Sequence, residues 1–288
     1  MKYNLCDMNT VQRLLKQYNF TFSKALGQNF LIDGSVCPAM AAALHADETT
    51  GVLEIGPGIG VLTAQLCQVA GKVVAVELDR RLVPLLGETL GAFSNFELVE
   101  GDAMTLDLAA LLQEKFKGMA HIKVCANLPY YITSPVIMRL LESRLPIEEI
   151  VVMVQREAAE RLCAKMGTRE AGAVSAAVQY FGEAEVLFEV DRTSFMPAPK
   201  VDSAVIKITL HQEPRYRVAD EKAFFSLVKA AFAQRRKTAV NSISATLGIP
   251  KETVTNALTA CGIAANARAE NITMEELCAL SNALGGGK

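Results

Sequence analysis

The stretch Val52-Leu53-Glu54-Ile55-Gly56-Pro57-Gly58-Ile59-Gly60 decides the fold. A short strand-like run ends in glycine at every second position, and a helical pattern opens behind it over 60–70. Strand, glycine turn and helix in that order begin a βα unit. Glycine lets the backbone turn sharply and approach a ligand closely. A dinucleotide-binding loop would read G-x-G-x-x-G, but here the glycines stand at 56, 58 and 60 and position 61 is Val61. A pyrophosphate needs open amides at a helix N-terminus and a small third residue. Glu54 instead sets a carboxylate just before the loop, which repels a pyrophosphate and suits a cation. Read blandly, the run is only a tight turn.

The pattern repeats outward from this loop. Lys72–Glu77, Phe96–Val99, Ile122–Ala126 and Ile150–Val154 read as further strands, with helical patterns over 79–90 and 134–144 and another after the fifth strand. Such alternation predicts a parallel sheet covered by helices. It ends near residue 184. Val186–Val190 and Ala204–Leu210 are two strands with no helix between them, which predicts an antiparallel hairpin at one sheet edge. Beyond Glu213-Pro214 only helical patterns remain, at 220–233, about 237–247, 251–260 and 273–283, with Thr273 and Glu276 spaced as a capping box. The expected division is an N-terminal arm over 1–30, an α/β domain over 31–211 and a helical domain over 212–288.

Composition narrows the classes. The chain has 288 residues, 51% hydrophobic and 21% charged, so a real core forms and global disorder is excluded. Net charge is −2, which excludes a uniformly basic nucleic-acid coat but not a local patch. Residues 1–30 and 212–288 each carry +3 and residues 31–211 carry −8, so a polyanion would be gripped by the ends. Seven cysteines with no C-x-x-C, and three scattered histidines, argue against a disulfide framework and a metal site. No apolar leader opens the chain and no membrane-length apolar run occurs, so a cytoplasmic protein without membrane contact is expected. No pattern marks a dimer interface, and a monomer is expected.

Two acids follow the glycine loop at the ends of the next strands. Glu77 ends the second, where a carboxylate accepts both ribose hydroxyls of a nucleoside. Gly101-Asp102 ends the third, where an aspartate accepts from an adenine amine. Glu54, Gly56, Gly58, Gly60, Glu77 and Asp102 together fit a cationic adenosine cofactor, S-adenosylmethionine. Asn127-Leu128-Pro129-Tyr130 follows the fourth strand at the same sheet edge. The exocyclic amine of adenine is a poor nucleophile because its lone pair is delocalised into the ring. An asparagine oxygen and a backbone carbonyl can each accept one of its N–H groups and localise that pair. Pro129 stiffens the loop, and Tyr130 can stack on an extruded base. A lone N-x-P-Y is equally a proline turn between strand and helix. Cys125 lies on a strand and no Pro-Cys pair occurs, which disfavours a cysteine nucleophile.

Gly27-Gln28-Asn29-Phe30-Leu31, Glu54–Gly60, Glu77-Leu78-Asp79, Gly101-Asp102, Asn127–Tyr130, Phe195–Ser203 (with Pro197 and Pro199) and Ala233-Gln234-Arg235-Arg236-Lys237 occur in this order. Over roughly residues 20–285 the chain resembles the ribosomal RNA adenine N6,N6-dimethyltransferase family, and within it the bacterial small-subunit branch. The resemblance implies a Rossmann-like S-adenosylmethionine-dependent methyltransferase fold of class α/β, mostly parallel with one antiparallel edge strand, plus a small all-α C-terminal domain. It implies dimethylation of two adjacent adenosines near the 3′ end of small-subunit ribosomal RNA, on the immature small subunit. By motif, Asn29 and Leu31 would border the cofactor, and Gly56, Glu77, Asp102 and Asn127 would contact it. Asn127, Leu128 and Tyr130 would hold the target amine, and Phe195 would stack on the far face of the adenine. Without the resemblance, Phe195 is an ordinary core aromatic. Tyr131 stands where some relatives have asparagine, and the segment before Gly27 is less basic than in some relatives.

The RNA grip is expected at Lys24 and at Arg235, Arg236 and Lys237, the densest basic run, although such a run is commonly just a solvated helix terminus. Two rivals remain. One is a large-subunit adenine methyltransferase conferring macrolide resistance, whose loop reads Asn-Ile-Pro-Tyr and whose proline-rich segment carries asparagine at the place of Asp202. The other is a non-catalytic ribosome assembly factor that keeps the fold.

Overall fold

The computed structural model describes residues 3–23 and 27–285. Helix α1 (Met8–Gln17) precedes a two-residue strand β1 (Phe30–Leu31) and α2 (Val36–Ala43). Alternation then sets in with β2 (Thr50–Ile55), α3 (Val61–Val69), β3 (Lys72–Glu77), α4 (Val83–Leu90), β4 (Phe96–Glu100), α5 (Leu108–Lys115), β5 (His121–Asn127), α6 (Thr133–Glu142) and β6 (Glu149–Gln155). After α7 (Arg156–Cys163) and α8 (Ala173–Phe181) come β7 (Gly182–Val190), the short β8 (Phe195–Met196) and β9 (Ser203–Leu210). The chain continues through α9 (Glu221–Phe232), α10 (Ala239–Leu247), α11 (Lys251–Ala260) and α12 (Met274–Gly285).

Seven strands form one sheet in the order β4-β3-β2-β5-β6-β9-β7. The ladders from β4 to β6 are all parallel, and β9 runs antiparallel to β6. Strand β2 is buried at every residue, as expected where helices cover both faces of a parallel sheet. A second, two-stranded sheet pairs β1 with β8, bringing Leu31 opposite Phe195.

Contacts divide the chain into two compact units, Met1–Ala159 with Glu185–Leu210, and Glu160–Ala184 with His211–Lys288. The sequence reading set boundaries at 30/31 and 211/212, whereas the segment before residue 31 groups with the α/β unit and residues 160–184 group with the C-terminal helices. The reason is aromatic packing within the second unit. Tyr180 stacks on Phe224 at 5.1 Å and Phe181 on Phe225 at 5.4 Å, ring centre to ring centre. The Tyr180 hydroxyl donates to Glu221 at 2.8 Å. The Thr273–Glu276 capping box forms at the start of α12.

In the first unit, a half-buried ion cluster holds α2 to the sheet. Lys123 on β5 and Lys207 on β9 flank Glu149 on β6, at 3.0 and 2.7 Å. Both ammonium groups also donate to carbonyls at the end of α2, Lys123 to Leu44 at 2.6 Å and Lys207 to Ala43 at 3.4 Å. Cations belong at a helix C-terminus, where the last carbonyls are unpaired. Burial pushes the Glu149 carboxyl up, but the bonds from Lys207 and Lys123 outweigh it and hold it below the usual carboxylate range. A carboxyl depressed by folding contributes stability above its unfolded pKa of about 4.3 and loses it as pH falls through the folded value. Glu149→Gln strands two cations and is expected to lower unfolding free energy at pH 7 by about 3 kcal/mol. The same variant should flatten the decline of stability below pH ~4.3. Urea unfolding across pH checks both. A loss below ~1 kcal/mol, the size of an exposed pair, would mean that the cluster does not anchor α2.

Candidate active site

Parallel register sets the C-terminal ends of β2, β3, β4 and β5 at one edge of the sheet. In the ladders, Glu54 lies opposite Ala75 and Cys125, Glu77 opposite Glu100, and Asn127 opposite Met153. A cavity opens at this edge, in the position where open α/β sheets bind ligands. The glycine loop forms its floor, with Gly56, Gly58 and Gly60 at φ of +72°, +60° and +91°. The glycines serve different ends. A Cβ on Gly56 would meet nothing within 4 Å, so the backbone there faces open space. A Cβ on Gly60 would press on Leu90 at 3.0–3.1 Å. Gly60 caps α3 and packs away from the cavity, whereas Gly56 and Gly58 line it.

The cavity lining contains Glu54, Glu77 and Asp102 and, among the described residues, no lysine, arginine or histidine. Glu54 is 1% exposed, and its Oε2 has no hydrogen-bond partner; neither does the neighbouring Thr63 hydroxyl. Burial pushes the Glu54 carboxyl up to about 8, the nearby Thr63 hydroxyl partly offsets this, and the charge of Glu77 adds to it. Glu77 is also raised, mainly by burial, against the backbone amides of Asp79 and Gly58. Asp79 N donates to Glu77 Oε1 at 2.7 Å, and Met104 N to Asp102 Oδ1 at 2.8 Å. A buried carboxylate oxygen without a partner, among acids without a counter-ion, fits a cationic ligand and rejects a pyrophosphate.

Asn127, Leu128, Pro129 and Tyr130 line the same cavity. The Asn127 side chain makes no hydrogen bond to another described residue. Leu128 N donates to Met153 O at 3.2 Å, which fixes the peptide, while no described donor takes the Leu128 carbonyl. The Tyr130 hydroxyl is tied to Ser203 Oγ at 2.9 Å. Phe195 is 4% exposed and reaches the cavity from β8. Asn29 and Leu31 enter from the segment leading into and forming β1.

The cavity thus gathers Asn29, Leu31, Glu54, Gly56, Gly58, Glu77, Asp102, Asn127, Leu128, Pro129, Tyr130 and Phe195, and Gly60 stands behind it. Lys24 lies outside the described residues. Arg235, Arg236 and Lys237 are exposed on the turn between α9 and α10, in the second unit. Sequence reasoning assigned no cavity role to Gln28, Cys37, Leu78 or Met104, all of which line it. Leu78 had a signal, since it follows Glu77 at a strand end; Cys37 had none.

Three comparisons place the chain among known proteins. A family model described as ribosomal RNA adenine dimethylase matches residues 19–285. The chain is 46% identical over 287 residues to ribosomal RNA small subunit methyltransferase A of Geobacillus sp. (strain WCH70), covering 99% of each. It is 45% identical over 284 residues to the Bacillus mycoides (strain KBAB4) protein of the same name, covering 98% of this chain and 97% of that one. The crystal structure of the 23S rRNA methyltransferase ErmE superposes with a TM-score of 0.66 at 27% identity, covering 89% of this chain and 99% of that one. A dimethyladenosine transferase from Plasmodium falciparum shares the fold, with a TM-score of 0.70 at 24% identity, covering 87% and 95%.

The different surroundings of the loop glycines can be separated by experiment. Both Gly56→Ala and Gly60→Ala incur the left-handed backbone penalty of about 1–2 kcal/mol. Gly60→Ala adds the clash with Leu90, so its denaturation midpoint should fall further. A larger fall for Gly56→Ala would overturn the assignment of Gly60 to packing.

Proposed function

Because the chain belongs to the ribosomal RNA adenine dimethylase family, we propose that it carries methyl groups from S-adenosylmethionine to the N6 amines of two adjacent adenosines near the 3′ end of small-subunit ribosomal RNA, on the immature subunit. The observation that carries this reading is the meeting, at one sheet edge, of an uncompensated acidic cavity with the Asn127–Tyr130 loop.

When bound, S-adenosylmethionine supplies an electrophilic methyl group on a positively charged sulfur. Asn29, Leu31, Gly56, Gly58, Glu77, Asp102 and Asn127 are the residues that would hold it. Glu77 suits the ribose hydroxyls, Asp102 the adenine amine, and Glu54 brings negative charge against a cation. Gly60 supports the loop from behind. On the acceptor side, the Asn127 side-chain oxygen and the Leu128 carbonyl each accept one N–H of the target amine. Two such bonds draw the nitrogen toward tetrahedral geometry and aim its lone pair. The tether from Leu128 N to Met153 holds the carbonyl direction, and Pro129 stiffens the turn. Tyr130 and Phe195 offer ring faces to the two sides of the base. Burial raises the Tyr130 phenol, against the Ser203 hydrogen bond, so it stays protonated and anchored. No strong base is required, since an alkylated amine is acidic and gives its proton to water. The rate gain is mainly alignment. Lys24, Arg235, Arg236 and Lys237 are the proposed phosphate contacts.

The deciding assay is tritiated-methyl transfer to undermethylated small subunits, large subunits and free RNA, followed by nucleoside analysis. N6,N6-dimethyladenosine in the small subunit alone is expected, and label in the large subunit would move the chain to the other branch. Asn127→Ala should lose about a hundredfold in transfer with RNA affinity kept; equal loss of both would remove its assigned role. Replacing Arg235 and Arg236 with alanine should reduce the salt slope of RNA binding by about 2. Glu54 is neutral below a pKa of about 8, and a bound cation favours its ionised form. Cofactor binding at pH 7 should therefore release a proton, and affinity should rise with pH until about 8. Calorimetry in buffers of different ionisation heat reads this, and the effect should vanish in Glu54→Gln.

A further inference from the structure

Asp79 links the cofactor side of the site to the cavity wall formed by residues 27–31. It is 6% exposed. Its backbone N–H donates to Glu77 Oε1 at 2.7 Å. Its side chain receives Arg81 Nε at 2.8 Å on Oδ1, and Arg81 Nη2 at 2.6 Å and Gln28 Nε2 at 2.8 Å on Oδ2. Arg81 is itself held from the other side. Its Nη1 donates to Thr21 O at 3.2 Å, and its guanidinium lies 4.9 Å from the centre of the Phe20 ring. Gln28 uses both ends of its amide, since Oε1 accepts from Ser23 N at 2.9 Å.

The wall is secured unequally along its length. Residues 30–32 are held by backbone. Phe30 pairs with Met196, Leu31 with Phe195, and Ile32 N donates to Ser194 O at 2.8 Å. Phe30 and Leu31 are buried. Gly27 packs against the far wall, its Cβ position 3.4 Å from the Tyr131 ring and 3.8 Å from Pro129, and its carbonyl accepts from Asn29 Nδ2 at 3.2 Å within the same segment. Between them, Gln28 N reaches back to Ser23 O at 3.5 Å, and among the described residues the Gln28–Asp79 side-chain hydrogen bond is the one that fastens the wall to β3's end of the cavity. A segment fixed at one end by a ladder, and at the other joined to β3's end of the cavity by one side-chain bond, can swing about the ladder as a hinged flap.

From this arrangement we propose that the Gln28–Asp79 hydrogen bond is a latch whose opening sets the rate at which the adenosyl cofactor and its spent form enter and leave. The idea rests on the cofactor reading given above. Asp79 is fixed by Arg81 whether or not the latch is closed, so the acceptor is always in place. Gln28 is then the moving part, and Asp79 is a positioning residue that acts through Glu77 and Gln28. A bond to a charged acceptor is stronger than a neutral one, so its loss should change the opening equilibrium about tenfold.

The test measures dissociation of S-adenosylhomocysteine from the full chain by filter binding after rapid dilution. Gln28→Ala should raise the dissociation rate constant about tenfold, and Gln28→Glu, which faces Asp79 with a second carboxylate, should raise it further. In the ligand-free protein, amide exchange at residues 28–31 should quicken in Gln28→Ala while the urea midpoint stays unchanged. Unchanged dissociation in both single variants would overturn the latch, as would faster exchange spread over the whole unit with a lowered midpoint. If S-adenosylhomocysteine does not bind the wild-type chain at all, the cofactor reading fails first.

Discussion

Two carboxyl groups, Glu54 and Glu77, are buried beside one another at the end of a parallel sheet with no cation among the described residues around them. Such a placement is unfavourable for folding, because a buried charge without a partner raises the free energy of the native state. The rest of the site follows from tolerating it. The glycine loop admits a ligand to the acids without a side chain in the way. The amides of Asp79 and Gly58 steady Glu77 without neutralising it. Glu54 responds by holding its proton until a positive group arrives. On the proposed reading the pocket selects by charge before any specific contact is made, since a positively charged sulfur would relieve the repulsion and a phosphate would worsen it.

The acceptor side obeys a different rule. In the proposed reaction the decisive atoms there are neutral oxygens, and what matters is their direction. Asn127 closes β5 and Leu128 is tied to β6 through Met153, so the backbone that carries both oxygens is referenced to the sheet. Tyr130 is referenced to β9 through Ser203. Electrostatics selects one reactant and rigid geometry aligns the other, and the two demands meet along about one strand's width of sheet edge.

Much of this was legible in the sequence, for a physical reason. Buried parallel strands must be apolar on both faces, so Lys72–Glu77 and Ile150–Val154 announce themselves, and an acid at a strand end stands out against such a run. The C-terminal helices had caps that could be read directly. What the sequence hid depends on distant partners. Lys123 and Lys207 look like solvated charges until Glu149 and the end of α2 are brought to them. Helices α2 and α5 are eight residues each and carry little periodic signal. The β1–β8 pairing joins two-residue strands far apart in the chain, Phe30 to Met196 and Leu31 to Phe195, and no local pattern encodes it. Residues 160–184 read as a continuation of the α/β pattern, while their aromatic residues belong to the helical unit.

The reversal of β9 has a consequence for how such a site can diversify. Because β9 runs against β6, Ser203 stands opposite Gln155, and the loop over residues 192–202 returns to the same edge that carries the acids. That loop holds Phe195 and adjoins Tyr130's tether, yet it supplies none of the carboxylates. Reshaping its residues beyond the β8 pair, which secures Leu31, would alter the surroundings of Phe195 without moving any of the three acids. The three carboxylates and this loop thus lie on separate stretches of chain, joined at two points, Asn127 and the β1–β8 pair.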